Sequence, residues 1–122
     1  SVSASESLSD CLLATGSPFR KKELMDPYLK SFARFFGKAR DVRRMGAAAI
    51  DLAYVANGRF DGFWELNLNK WDIAAGVLLI EEAGGFVSGF VRDENFWETG
   101  NIVASNGKIH TAITDELSEI FG

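Results

Sequence analysis

Short apolar runs alternate with stretches whose apolar residues recur at helical spacing, and this alternation organises the 122-residue chain. Residues 1–9 are polar and serine-rich and are expected to form a loop. Cys11-Leu12-Leu13-Ala14-Thr15 is a continuous apolar run stopped by Gly16-Ser17-Pro18, the pattern of a buried strand and a turn. A basic surface loop over 19–23 follows. Between Pro27 and Lys38, apolar positions 28, 29, 32, 33, 35 and 36 predict an amphipathic helix, with Pro27 in its first turn and Gly37 near its end. Asp41 to Met45 fits a short strand, and Gly46 opens a second helix that runs from Ala47 to Ala56 and stops at Asn57-Gly58. Phe60 to Leu66 is predicted as a strand, with Gly62 marking a bulge.

The next helix has a different pattern. Apolar residues at 73, 74, 77, 78 and 80, with Ala75 and Leu79 between them, leave no wide polar face before Glu81. A helix apolar nearly all round is expected to lie buried between two layers. It opens on Asp72 and ends at Gly84-Gly85, a pair suited to a left-handed stop. A strand near Phe86–Val91, a charged loop over 92–100, a strand at Ile102-Val103-Ala104 and a closing amphipathic helix from about 107 to 121 complete the pattern. Strands alternating with helices predict a single α/β domain over residues 1–122.

Composition narrows the functional classes. A net charge of −4 argues against non-specific binding to nucleic acid or anionic membrane. No apolar run reaches the length of a membrane span, and the polar start has no signal-peptide pattern. The lone cysteine, Cys11, cannot form an internal disulfide, which suits a reducing, cytoplasmic compartment; its apolar run makes it an inert core thiol. The absence of a starting Met suggests a chain cut from a longer polypeptide.

Several residues could carry chemistry. Asp72 sits where a helix begins, so it is either a first-turn acid satisfying orphan N–H groups or a hard oxygen ligand for a divalent cation. Gly46-Ala47-Ala48-Ala49 would let a ligand approach a helix N-terminus closely, although tight helix packing selects the same residues. Glu65, near a strand end, could accept hydrogen bonds from ligand hydroxyls or simply be solvated. His110, the only histidine, has no triad-like neighbours and is expected on the surface of the last helix. The clusters Arg20-Lys21-Lys22 and Arg43-Arg44 are expected to be solvated, and Trp64 and Trp97 to pack in a core or interface.

The order Trp71-Asp72-x-Ala74-Ala75-Gly76, five residues, then Glu82-Ala83-Gly84-Gly85 resembles the C-terminal signature of the inositol monophosphatase family, Mg²⁺-dependent and lithium-sensitive phosphatases of small phosphate esters. Thr15-Gly16-Ser17-Pro18-Phe19 is similar to a Thr-Gly-Phe-Pro turn of its bacterial members, and the extragenic-suppressor subclass is nearest. The resemblance implies a fold: the C-terminal half of the family's α/β sandwich, a layered mixed β-sheet with flanking helices. It also implies roles, with Asp72 as a ligand of a second Mg²⁺, Glu65 holding the substrate polyol, and Gly46, Ala47 and Ala48 lining the pocket. Ala47 stands where the family usually has Ser or Thr, and Asn67 where it often has Gly.

The family's other metal-binding elements, a Glu-Glu pair and an Asp-Pro-x-Asp-Gly-Thr loop, belong to the N-terminal half. Asp26-Pro27 does not continue into that loop and fits a helix start. No catalytic residue is therefore assigned in this half, and the chain alone is expected to be inactive. The resemblance further implies a homodimer and packing against the absent N-terminal half. The alternatives are an interaction module that contacts the transcription machinery, or a phosphatase of a related sugar or nucleotide phosphate.

Overall fold

The computed structural model describes residues 1–16 and 21–122. The elements run β1 (Leu12–Gly16), α1 (Met25–Lys38), β2 (Asp41–Arg43), α2 (Ala48–Ala56), β3 (Gly62–Glu65), α3 (Lys70–Glu82), β4 (Phe86–Ser88), α4 (Phe96–Thr99), β5 (Ile102–Ser105) and α5 (His110–Phe121). The strands form one mixed sheet in the order β2-β1-β3-β5-β4. β1 is parallel to β2 and β3, whereas β5 is antiparallel to β3 and β4.

Alternation along the central strands sends side chains into two cores. Leu13, Trp64 and Val103 join Phe35 of α1 and Ile113 and Leu117 of α5 on one face. Ala14, Phe63, Ile102 and Ala104 join Leu52 and Val55 of α2 and Ile73 and Ile80 of α3 on the other. The result is helices, sheet, helices. Outside the first core, Arg34 pairs with Glu116 at 3.0 Å and with Glu119, and Lys38 pairs with Glu116, so α1 and α5 carry an ion-pair seam where they meet water.

Two expectations about α3 and β3 change. α3 is not enclosed: Ile73, Gly76 and Ile80 face the sheet, while Trp71 is 87% exposed and Leu78 61% exposed. The sequence pattern gave the helix two apolar sides, and the described chain covers one. Gly62 makes no bulge; it pairs in regular register with Leu13 and Ser105. Its lack of a side chain serves packing, since a Cβ there would lie 2.8 Å from Ile113 of α5.

The first residues are tied down rather than loose. Val2 N–H donates to Ala83 O, and Asn106 Nδ2 donates to Ser3 Oγ and Ser5 O. Asp61 gathers this corner: its carboxylate accepts from Leu12 N–H at 2.7 Å and from Ser3 Oγ, while its N–H donates to Leu12 O and its carbonyl accepts from Asn106 N–H. The basic loop and the turn after Gly16 fall partly on residues 17–20, outside the described residues.

Candidate functional site

A cavity of about 740 Å³ opens where parallel β1 and β3 end and where α2 and α3 begin. Crevices at the carboxyl ends of strands are the usual ligand sites of α/β sheets, because polar side chains and helix N-termini converge there. Gly46, Ala47, Ala48, Glu65 and Asp72 all line this cavity, so the residues singled out from the sequence meet in one place.

Each wall has a local cause. Gly46 has φ +87°, a conformation that favours glycine, and it turns the chain from β2 into α2. Ala47 is the N-cap residue and makes no side-chain cap, so the N-cap side chain itself puts no bulky or polar group at the mouth of α2. Glu65 ends β3 directly across from Gly16 in β1. A Cβ at Gly16 would fall 2.2 Å from Glu65 Oε1, so the carboxyl lies in a space that only glycine leaves. Asn67 carries the positive φ (+56°) of the loop that follows, which accounts for Asn where the family often has Gly, and Asn101 Oδ1 accepts its N–H.

Asp72 is held rather than free-swinging. The N-cap of α3 is Asn69, whose Oδ1 accepts Asp72 N–H at 2.9 Å and whose Nδ2 donates to Asp72 Oδ2 at 2.8 Å. This reciprocal clamp fixes one carboxylate oxygen of Asp72 and orients the half-buried side chain on the cavity wall. Among the described residues, no group of three or more His, Cys, Asp or Glu could hold a metal ion. A fixed carboxylate with an oxygen to spare suits one ligand position for a hard cation, and no more than one.

Sequence reasoning passed over three cavity residues. Asn69 acts as the clamp, a role visible in the Asn-x-x-Asp spacing. Arg44, expected to be solvated with its neighbour Arg43, lines the cavity and lowers the proton affinity of Glu65. Asp51, in the first turn of α2, also lines the cavity and is only 1% exposed. Nothing in its apolar surroundings, Ala48-Ala49-Ile50-Asp51-Leu52, signalled more than a helix acid.

Burial pushes the Asp51 carboxyl up to about 7. Burial also raises Glu65 to about 7, with the charges of Asp51 and Asp72 adding and Arg44 opposing. Two carboxyls sharing a poorly solvated floor favour the protonated form, because ionising both sets like charges together in a low dielectric.

His110 is placed elsewhere and is buried, not on the helix surface. Ser88 Oγ lies 2.7 Å from His110 Nε2 and Ser105 Oγ 2.8 Å from Nδ1, so both ring nitrogens have hydroxyl partners. Burial lowers the imidazole pKa to about 4, which favours the neutral ring. With both nitrogens engaged, His110 is a structural tie between β4, β5 and α5.

A layered α/β domain with an acid-floored cavity between strand ends and two helix N-termini defines a small-ligand site of the doubly covered sheet class. The comparisons make that class specific. The Inositol monophosphatase family profile matches residues 1–121, and the chain belongs to that family. A Nus factor SuhB of Pseudomonas aeruginosa is 50% identical over 114 residues, covering 92% of this chain and 42% of the relative. The Nus factor SuhB of Escherichia coli is 47% identical over 121 residues, 96% of this chain and 45% of the relative. Among solved structures, the inositol monophosphatase of Anabaena superposes with a TM-score of 0.91 at 41% identity, covering 98% of this chain and 47% of that one. Native extragenic suppressor protein SuhB of Bartonella henselae gives 0.89 at 42% identity, covering 97% and 45%. The chain thus spans about half the length of the relatives it matches.

Proposed function

We propose that this chain is the substrate-binding half of a Mg²⁺-dependent phosphatase of inositol monophosphate. The observation that carries the reading is the convergence of Glu65, Asp72 and the small first turn of α2 on one cavity. Glu65 would accept hydrogen bonds from polyol hydroxyls, and the backbone at Gly46 to Ala48 would border the substrate. Asp72, oriented by Asn69, would supply one oxygen ligand to Mg²⁺. When bound, Mg²⁺ supplies positive charge that favours departure of the ester oxygen. The remaining metal ligands and the water-activating groups would come from outside this chain, since among the described residues no group of three or more His, Cys, Asp or Glu could hold the ion.

The exposed apolar face of α2 and α3, including Ile50, Trp71, Leu78 and Leu79, supports packing of an N-terminal half onto this layer. The assembled protein would be a homodimer in the cytoplasm. Among the described residues no helix is long and apolar enough to cross a membrane.

The test is hydrolysis of inositol 1-phosphate with Mg²⁺, by this chain alone and by this chain joined to the N-terminal half of the Pseudomonas aeruginosa relative. The expected result is no turnover alone, and turnover in the joined protein that falls about a hundredfold or more on Asp72→Asn. Turnover by the isolated chain, or a joined protein indifferent to Asp72→Asn, would overturn the assignment.

A second reading is supported by the relatives named Nus factor SuhB: contact with a component of the transcription machinery. Co-purification with such a component that needs this chain but survives Asp72→Asn would favour it. The same cavity could also take a related sugar or nucleotide phosphate, and relative turnover of those esters decides among them.

A further inference from the structure

Among the described residues, Asp51 has no structural employment: both of its carboxylate oxygens are buried without a hydrogen-bond partner there, and the side chain is 1% exposed. It caps nothing, since the N-cap of α2 is Ala47 and that turn has no side-chain cap bond. An apolar residue would fill the same space at lower cost, because a buried carboxyl without donors loses its hydration for nothing. Yet it lines the same cavity as Glu65, and its charge is felt at Glu65. A group kept in that state at a cavity wall has its partner in the ligand.

We infer that Asp51 is a second hydroxyl-binding residue of this cavity, so that Asp51 and Glu65 together select a ligand with two neighbouring hydroxyl donors. The inference rests on the polyol reading of Glu65 and extends it from one hydroxyl to a vicinal pair. The geometry gives the reason for two acceptors on adjoining walls. Glu65 enters from the end of β3 against Gly16, and Asp51 from the first turn of α2. A single hydroxyl needs one acceptor and leaves the other orphaned. A vicinal diol satisfies both, and the gain is largest where water is already excluded.

The test uses the 122-residue chain and metal-free probes, so it does not depend on turnover. Binding of cis-1,2-cyclohexanediol, cyclohexanol and myo-inositol is followed at pH 8 by saturation-transfer NMR, with thermal melting as the check on folding. The expected result is a preference for the diol over cyclohexanol of about tenfold, the worth of one added hydrogen bond to a charged group. Asp51→Leu should abolish that preference and weaken myo-inositol to the same extent while the chain stays folded. Asp51→Asn, which keeps the shape and one acceptor, should reduce the preference only in part, and it carries the test if the leucine variant does not fold. A preference that survives in the folded Asp51→Leu chain, or in Asp51→Asn if only that variant folds, overturns the inference. If Glu65→Gln loses myo-inositol while Asp51→Leu does not, the inference fails and the Glu65 reading stands. If the unsubstituted chain prefers neither probe and Glu65→Gln changes nothing, the polyol reading fails and takes this inference with it.

Discussion

Two buried groups oppose each other in the pH dependence of stability. Asp51 is raised to about 7 in the folded chain from an ordinary value near 4. Its contribution to stability is complete below pH 4 and is lost as pH rises through 7, where the fold must hold an ionised, buried carboxylate. Asp51→Asn should therefore raise stability on the order of 1–2 kcal/mol at pH 8 and leave it unchanged at pH 4, measured by urea unfolding at the two values. His110 acts in the other direction. It is lowered to about 4 from 6.5, so its contribution is complete above pH 6.5 and is lost as pH falls through 4. Unfolding midpoints of the unsubstituted chain should drop across that acid window, and His110→Asn should flatten the drop. Gly16→Ala is expected to be severe for binding, because the new methyl would displace the Glu65 carboxyl from its niche; myo-inositol binding should fall at least about tenfold.

At the level of elements, hydrophobic periodicity found the strands and the longer helices, because the two cores follow strand alternation and amphipathic stripes; it missed α4, a single turn capped by Asn95 inside the stretch expected to be a charged loop over 92–100. The differences came from physics that pattern does not encode. α3 looked like a buried helix because its sequence is apolar on two sides, and only the arrangement of layers shows which side this chain covers. Gly62 looked like a bulge because a glycine in a strand suggests one; the requirement came instead from α5 packing across the sheet. Glu65, Asp72 and the small mouth of α2 were legible through the signature around them. Asp51 and Arg44 were not, since a charge in a helix or basic pair looks solvated until burial is known. The Asn69 clamp gives a further prediction: Asn69→Ala removes the α3 cap and should cost about 1 kcal/mol of stability. The same substitution releases Asp72, so in the joined protein the Mg²⁺ concentration for half-maximal activity should rise, a change that a cap with no other role would not cause.

For the molecule as a whole, the two outer surfaces contrast. The α1–α5 side meets solvent with the Arg34, Lys38, Glu116 and Glu119 seam beside exposed Leu29 and Phe36, whereas the α2–α3 side presents Ile50, Trp71, Leu78 and Leu79. A chain with that second surface uncovered should self-associate as concentration rises. Leu78→Glu should shift sedimentation toward the monomer with little change in melting temperature, since Leu78 is 61% exposed within the chain. In the joined protein the same substitution should weaken assembly and activity together.

The bonds at Asp61 lie at the opposite end of β3 from the cavity, yet they guard its chemistry. By gripping both the N–H and the carbonyl of Leu12, Asp61 leaves β1 one alignment against β3. Side chains alternate along a strand, so a slip of β3 by one residue would turn Glu65 to the α1–α5 side and offer the indole of Trp64 or the isobutyl group of Leu66 to the ligand. An error of about 3.3 Å in threading would thus erase the acidic floor without altering a single cavity residue. Asp61, remote from any ligand, is the proofreading mark that keeps the strand in frame.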